Sequence, residues 1–291
     1  MELLRDVEVI FSGWGCPKID AAFLDHAPNL QAIFYAAGAV SGWATPTIWE
    51  RGIVVTTANQ ANAIPVAEYT VATTLFSLKN GWRLARRNAH RGFEIRPDVA
   101  GAYRSVVGLV GMGTIARLVV NLLASYDLRA ITYDPYLSQE EALRLGVESV
   151  SLERLFSESD VISLHAPDLP NTWDLVNGPL LASMKPNATL INTSRGRVVN
   201  EEALIQVLQE RPDLFAVLDV TQQEPLPAES PLNHLANVVL TPHIAGSQGR
   251  ECQRMGQYMV EELDRFINGR PLQWAIRPEA LAHSVHQIAS L

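Results

Sequence analysis

Val106–Asp127 reads VVGLVGMGTIARLVVNLLASYD, and this stretch decides the fold. A run of β-branched and apolar residues stops at Gly111, after which Ile115, Leu118, Val119, Leu122 and Leu123 recur at helical spacing. The segment is therefore a strand that turns directly into a helix, with Gly111-x-Gly113-x-x-Ala116 at the join. Each small residue has a physical reason to be there. Gly111 permits the tight turn, Gly113 lets the backbone approach a pyrophosphate, and Ala116 keeps the helix close to the strand. Met112, Thr114 and Ile115 complete a loop whose helix N-terminus, with its free N–H groups and dipole, favours an anion. The bare glycine pattern occurs by chance in many chains. A strand before it and a helix after it are the context that dinucleotide binding requires.

Working outward, the next strand candidate, LRAITYD, ends in Asp134, 21 residues after Gly113, against an expected spacing of about 20. A carboxylate there accepts hydrogen bonds from a ribose and repels a 2′-phosphate, which favours NAD over NADP. The plainer alternative is that Asp134 only opens the turn at Pro135, and the loop alone admits S-adenosylmethionine as a rival ligand. DVISLHA, ATLINTS, LFAVLDV and NVVLTPH follow, giving six strands with intervening helices, the complement of a doubly wound sheet. Upstream lie three more strand candidates, VEVIFS, LQAIFYA and GIVVTTA. Between them IDAAFLDHA and TPTIWERG read as short helices, the second with Thr45 as cap and Pro46 in its first turn. A long helix is predicted over 66–91, a last one over 251–268, and beyond it an Ala-rich helical tail. Seams near Asn62 and Ala245 predict an α/β chain of two domains, with a parallel-sheet NAD-binding domain over 63–245 inserted into a smaller domain made of 1–62 and 246–291.

Bulk properties agree with that division. A chain of 291 residues is long for one core, and 47% hydrophobic with 19% charged residues is ordinary for a globular protein. A net charge of −8 argues against nucleic acid as a partner. Arg83, Arg86, Arg87 and Arg91 fall near one side of a helix, a pattern that fits a solvated or subunit-contact face. No run approaches the roughly 18 apolar residues of a membrane span. The start, MELLRDVEVIF, carries acids where a secretory leader is basic, which points to the cytoplasm. Cys16 and Cys252 offer neither a disulfide framework nor a metal cluster, so no metal is expected.

Three later segments carry chemistry. LINTSRGRVVNEEAL places Arg195 just past a strand end, AVLDVTQQEPLP places Asp219 and Glu224 past the next, and LTPHIAG places His243 past the last. In a doubly wound sheet these residues gather at the carboxyl edge, where the ligand binds. Taken alone, His243 reads as a packed or loop histidine. Arg195 offers a fixed fork of donors for a carboxylate.

Arg, Glu and His in this order, with TANQANAIPVAEYT, GLVGMGTIA and ISLHAPDLPNT, resemble the D-isomer-specific 2-hydroxyacid dehydrogenases along nearly the whole chain. The resemblance implies hydride transfer between NAD(H) and a small 2-keto or 2-hydroxy acid. Arg195 would anchor the carboxylate, and His243 would pass the proton. Glu224 would hydrogen-bond the far ring nitrogen, orienting the imidazole and favouring its charged form. The resemblance also extends the cofactor set to His165, Ala166, Pro167, Thr172, Thr193, Ser194, Asp219, Ala245 and Gly246, with Asp219 on the nicotinamide carboxamide; the plainer readings are a structural ring for His165 and a simple strand-end acid for Asp219. It assigns Gly38, Ala39, Val40 and Asn62 to the substrate, whose selection is expected from side chains near Trp14, Trp43 and the 38–42 loop and from a partner subunit. It further implies a flavodoxin-like substrate domain and a homodimer through the cofactor domain. Two departures are visible: Asn200 replaces an acid, as a helix cap, and Thr221 replaces an aromatic.

Other functions compete. A dinucleotide-sensing scaffold of the corepressor type would share the Arg–Glu–His set, and phosphite- or formate-oxidising relatives are a third class. Formate oxidation is disfavoured because Glu224 stands where those enzymes usually carry Gln. MELLRD matches the tail of the family's first helix, so the chain is expected to lack most of that helix and the strand before it. In a five-stranded sheet ordered 2-1-3-4-5 that strand is interior, and its loss predicts unpaired backbone inside the smaller domain.

Overall fold

The structure, a computed structural model, describes residues 2–91 and 99–278. The expected Ala-rich tail, Met1 and the side chains of Arg87 and Arg91 lie outside the described residues. The strands run in chain order β1 (Val9–Ser12), β2 (Ala32–Tyr35), β3 (Val54–Thr57), β4 (Val106–Val110), β5 (Arg129–Tyr133) and β6 (Glu148–Ser149). They continue with β7 (Val161–Leu164), β8 (Thr189–Asn192), β9 (Phe215–Leu218), β10 (Val238–Leu240) and β11 (Ala275–Ile276). The chain divides into two compact units, Met1–Pro65 with Gly246–Leu291, and Val66–Ala245. No helix among the described residues is long and apolar enough to cross a membrane.

The larger unit holds a seven-stranded parallel sheet in the order β10-β9-β8-β7-β4-β5-β6. The order reverses beside β4, so ligand-binding loops collect at the carboxyl ends there. Its central strands β7, β8 and β9 are buried at every residue, as a parallel sheet covered by helices on both faces requires, with Thr189, Asn192 and Ser163 the polar residues among them. One core is built on Phe156, Ile162, Leu164 and Leu190, and the other on Val107, Leu109, Ala116 and Val119. The sequence reading missed β6, whose two polar residues carry no strand pattern and which pairs with β5 only at the edge.

The smaller unit holds four strands in the order β1-β2-β3-β11, with β11 antiparallel to β3. Phe34 is fully buried and packs against Phe11 and Phe266. The helix Glu251–Ile267 supplies Met255 and Met259 to the same core. The expected gap from a lost interior strand is absent among these residues. β1, β2 and β3 pair in unbroken parallel register, and what stays open is one edge of the sheet, at β1.

The helix expected over 66–91 is two helices, Asn59–Leu78 and Gly81–Arg91. Asn80 between them is left-handed with φ 49°. A Cβ on Gly81 would lie 2.5–2.7 Å from the Phe76 ring, so any side chain at the turn would have to displace that ring. Arg83 and Arg86 are not a purely solvated face. Arg83 donates to Asn187 and to the Asp213 carbonyl, and Arg86 to the Val238 carbonyl, tying their helix to the sheet's loops. Burial pushes the Arg83 guanidinium below its ordinary pKa.

Candidate active site

The phosphate loop begins where β4 ends. Gly111 has φ +92°, and a Cβ there would lie 2.9–3.0 Å from the backbone of His165 and Ala166, so the turn excludes any side chain twice over. Gly113 is the N-cap of the helix Thr114–Leu123, and no side chain caps that end. Ala116 is fully buried against β4. Asp134, itself buried, accepts from the Met112 N–H at 2.7 Å and the Tyr136 N–H at 2.8 Å, which fixes the acid beside the loop. Pro135 is exposed next to it. An uncapped helix end, a glycine turn and a held carboxylate fit the diphosphate and ribose of a dinucleotide.

The loop after β7 carries His165, Ala166, Pro167 and Thr172. The His165 ring is buried, with Nε2 3.0 Å from Ser163 Oγ, and burial holds its pKa down to about 4. The neutral ring packs inside, and it is the 165–166 backbone that meets the glycine turn. Thr172 Oγ1 bonds the Pro167 carbonyl at 2.5 Å and accepts from the Leu169 N–H at 3.0 Å, closing the loop on itself.

At the end of β8, Asn192 Oδ1 accepts from the Ser194 N–H and hydroxyl, and its Nδ2 donates to the Arg195 carbonyl at 3.0 Å. This Asx-type turn sets Arg195 in extended backbone, with its side chain exposed. Thr193 is buried, its hydroxyl 3.4 Å from that of Thr70.

Asp219 follows β9 and is 2% exposed. Its carboxylate accepts from Thr241 Oγ1 at 2.6 Å, the Ile244 N–H at 2.8 Å and the Ala245 N–H at 2.9 Å. Its carbonyl accepts from the His243 N–H at 2.9 Å. These four bonds hold His243 at φ +53°, a conformation that non-glycine residues seldom adopt. The turn aims His243 Nδ1 at Glu224 Oε2, 2.7 Å away. The imidazole stays half exposed, and its Nε2 has no partner among the described residues. Tyr69 Oη lies 3.0 Å from Thr241 Oγ1 and extends the support. Burial raises the Tyr69 phenol above its ordinary pKa, so it stays a neutral hydroxyl.

The sequence reading missed Asn192, Thr241 and Tyr69. Asn192 carried a signal, an Asn two residues before Ser at a strand end. Tyr69 carried none, because it reaches Thr241 across 172 residues of chain.

In the smaller unit, Gly38, Ala39 and Val40 follow β2. Their three N–H groups have no acceptor among the described residues, and the Val40 side chain is buried. Successive amides without acceptors are the kind of donor set that can hold an anion. Asn62 Oδ1 accepts from the Ser247 N–H at 2.8 Å, and a Cβ on Gly246 would lie 3.2 Å from the same oxygen. Trp43 is 4% exposed and packs on Tyr35, whereas Trp14 is 61% exposed.

Residues 73–245 match the family model described as D-isomer specific 2-hydroxyacid dehydrogenase, NAD binding domain. The chain is 33% identical over 270 residues to a D-3-phosphoglycerate dehydrogenase of Synechocystis sp., an alignment that takes in 92% of this chain and 48% of that one. It thus spans about half the length of the D-3-phosphoglycerate dehydrogenases it matches. A glyoxylate reductase of Korarchaeum cryptofilum is 34% identical over 280 residues, covering 92% of this chain and 82% of that one. The crystal structure of the TT0316 protein from Thermus thermophilus superposes with a TM-score of 0.79 at 30% identity, over 94% of this chain and 88% of that one. A glycine turn that only glycine can make and a histidine held against a glutamate are thus set in a matching sequence and fold, and the chain belongs to the D-isomer specific 2-hydroxyacid dehydrogenase family, with an NAD-binding domain in Val66–Ala245.

Proposed function

We propose that this chain is an NAD-dependent oxidoreductase that interconverts small 2-keto acids and the D isomers of their 2-hydroxy acids. The observation that carries the reading is the 2.7 Å bond between His243 Nδ1 and Glu224 Oε2, which leaves Nε2 free at the sheet edge. Held this way, Nε2 can deliver a proton to a carbonyl oxygen and take it back in the oxidative direction. Arg195 supplies a forked cation for the carboxylate and polarises the carbonyl. A bound NADH supplies the hydride. Among relatives, the match to a glyoxylate reductase over most of its length favours short keto acids.

The buried carboxylate of Asp134 favours NAD over NADP, since a 2′-phosphate would meet its charge. The free thiols Cys16 and Cys252 suit a reducing, cytoplasmic setting. A homodimer through the NAD-binding unit is supported by large exposed side chains there, Phe76 and Tyr103. Light scattering at micromolar concentration should give twice the chain mass, and a monomer would overturn the dimer.

The test of the reaction is a panel of glyoxylate, hydroxypyruvate and pyruvate with NADH, followed by nicotinamide absorbance, for the parent, His243→Ala and Arg195→Ala. Loss of the proton donor should lower kcat by roughly 10²–10⁴ while NADH still quenches protein fluorescence. Near-parental kcat in either variant would sink the assigned roles.

A further inference from the structure

We propose that Gly196, Gln222 and Glu201 are positioning residues that dock the loop leading into Glu224 onto the loop following Arg195. The inference rests on the reaction proposed above. Gly196, next to Arg195, is buried, and a Cβ built there would fall well inside van der Waals contact with the Thr221 carbonyl group and the Gln222 nitrogen. All three are backbone atoms, which cannot swing aside as a flexible side chain would. The backbones of the two loops therefore touch only because residue 196 has no side chain.

Two hydrogen bonds hold the same contact. Glu201 Oε2 accepts from the Gln222 N–H at 2.9 Å, and Gln222 Nε2 donates to the Val199 carbonyl at 2.9 Å. Within the docked loop, Thr221 Oγ1 donates to the Gln223 carbonyl at 2.7 Å. Glu201 is itself fixed, in the first turn of the helix Glu201–Glu210, which Asn200 caps through the Ala203 N–H. Segment 221–223 is thus seated on segment 196–201 through both its main chain and a side chain. Glu224, the next residue, takes its place from that seat, and with it the hydrogen bond that orients His243. Arg195 and Glu224 lie at the ends of different strands, and this dock is what couples their positions.

The test uses the whole chain with glyoxylate and NADH. Gly196→Ala forces the loops apart by about 1 Å, a misplacement worth up to about 10²-fold in kcat, with the NADH affinity unchanged. Gln222→Ala and Glu201→Ala, each losing one hydrogen bond, should lower kcat about tenfold. Glu201→Gln keeps an acceptor for the Gln222 N–H and should restore the parental rate. A purely structural role would not move the second readout. In dinucleotide-free protein with 15N-labelled histidine, the hydrogen-bonded Nδ1–H signal of His243 should weaken or shift in the three damaging variants and stay put in Glu201→Gln. If Gly196→Ala does not fold, the Gln222 and Glu201 variants decide. Parental kcat together with an unmoved Nδ1–H signal in both would overturn the dock. A parent inactive on every keto acid would instead defeat the proposed reaction, and the NMR arm would still judge the dock.

Discussion

Replacing Asp219 by Ala tests how the site holds its histidine. The carboxylate is 2% exposed and accepts three hydrogen bonds, so its removal strands three donors at once. The Ala245 N–H is buried, and leaving it without an acceptor costs about 1–3 kcal/mol. The Thr241 hydroxyl and the Ile244 N–H are only partly buried and can recruit water, so each loses about 0.5–1.5 kcal/mol. The expected loss in stability is therefore about 2–6 kcal/mol, large against the 5–15 kcal/mol typical of a domain. The consequence for His243 follows from the same figures. Its left-handed backbone costs about 1–3 kcal/mol to hold, which the remaining His243 N–H to Asp219 carbonyl bond cannot offset alone. The turn should relax, Nδ1 should leave Glu224, and kcat should fall at least about 10²-fold. Urea unfolding gives the stability, and glyoxylate reduction gives the rate. Asp219→Asn keeps the volume and one acceptor oxygen, so it should fall between parent and Asp219→Ala on both scales. A parental urea midpoint and kcat in Asp219→Ala would refute the reasoning. Loss of NADH affinity with kcat intact would instead favour a role on the nicotinamide carboxamide.

Asp134→Ala should narrow the preference for NADH over NADPH in kcat/KM by about tenfold or more, the worth of roughly 1.4 kcal/mol of repulsion; an unchanged ratio would remove Asp134 from cofactor choice. Burial holds the His165 pKa at about 4, below its value of 6.5 when exposed, so the unfolded chain binds the proton more readily. The stability from burying the neutral ring is complete above pH 6.5 and is lost as pH falls toward 4, about 3 kcal/mol in all. His165→Gln should lose less stability than the parent between pH 7.5 and pH 4.5 in urea titrations, and equal losses would contradict a buried neutral ring. Gly108→Ala places a methyl group against Ser159 Oγ and Leu155 and should destabilise the NAD-binding unit by about 1–3 kcal/mol. An unchanged melting curve would show that this packing yields freely.

Much of the site was readable because its chemistry sits at strand ends, and strand ends are local. The glycine loop, Asp134, Arg195, Glu224 and His243 each follow an apolar run that announces its own termination. A parallel sheet then brings such ends to one edge whatever the details of packing. Asn200 was readable as a cap for the same reason, since its partner is only three residues away. The break at Asn80 was not, because it depends on where the Phe76 ring lies above Gly81. Nor was β6, whose pairing with β5 owes nothing to a pattern of its own.

The sequence by itself determined which side chains could do chemistry, their order, and the strand–loop–helix frame that presents them. Only the tertiary structure decided what holds them. His165 is buried with Nε2 beside Ser163, Asp219 anchors the His243 turn, and Gly196 is the point where two loops meet backbone to backbone. The physical reason is range. Capping, turning and amphipathic periodicity act within a few residues and leave their mark on the letters. Burial and side-chain hydrogen bonds join residues 22 to 26 positions apart around Asp219, and 172 apart from Tyr69 to Thr241, and exist only once the sheet has brought their partners together.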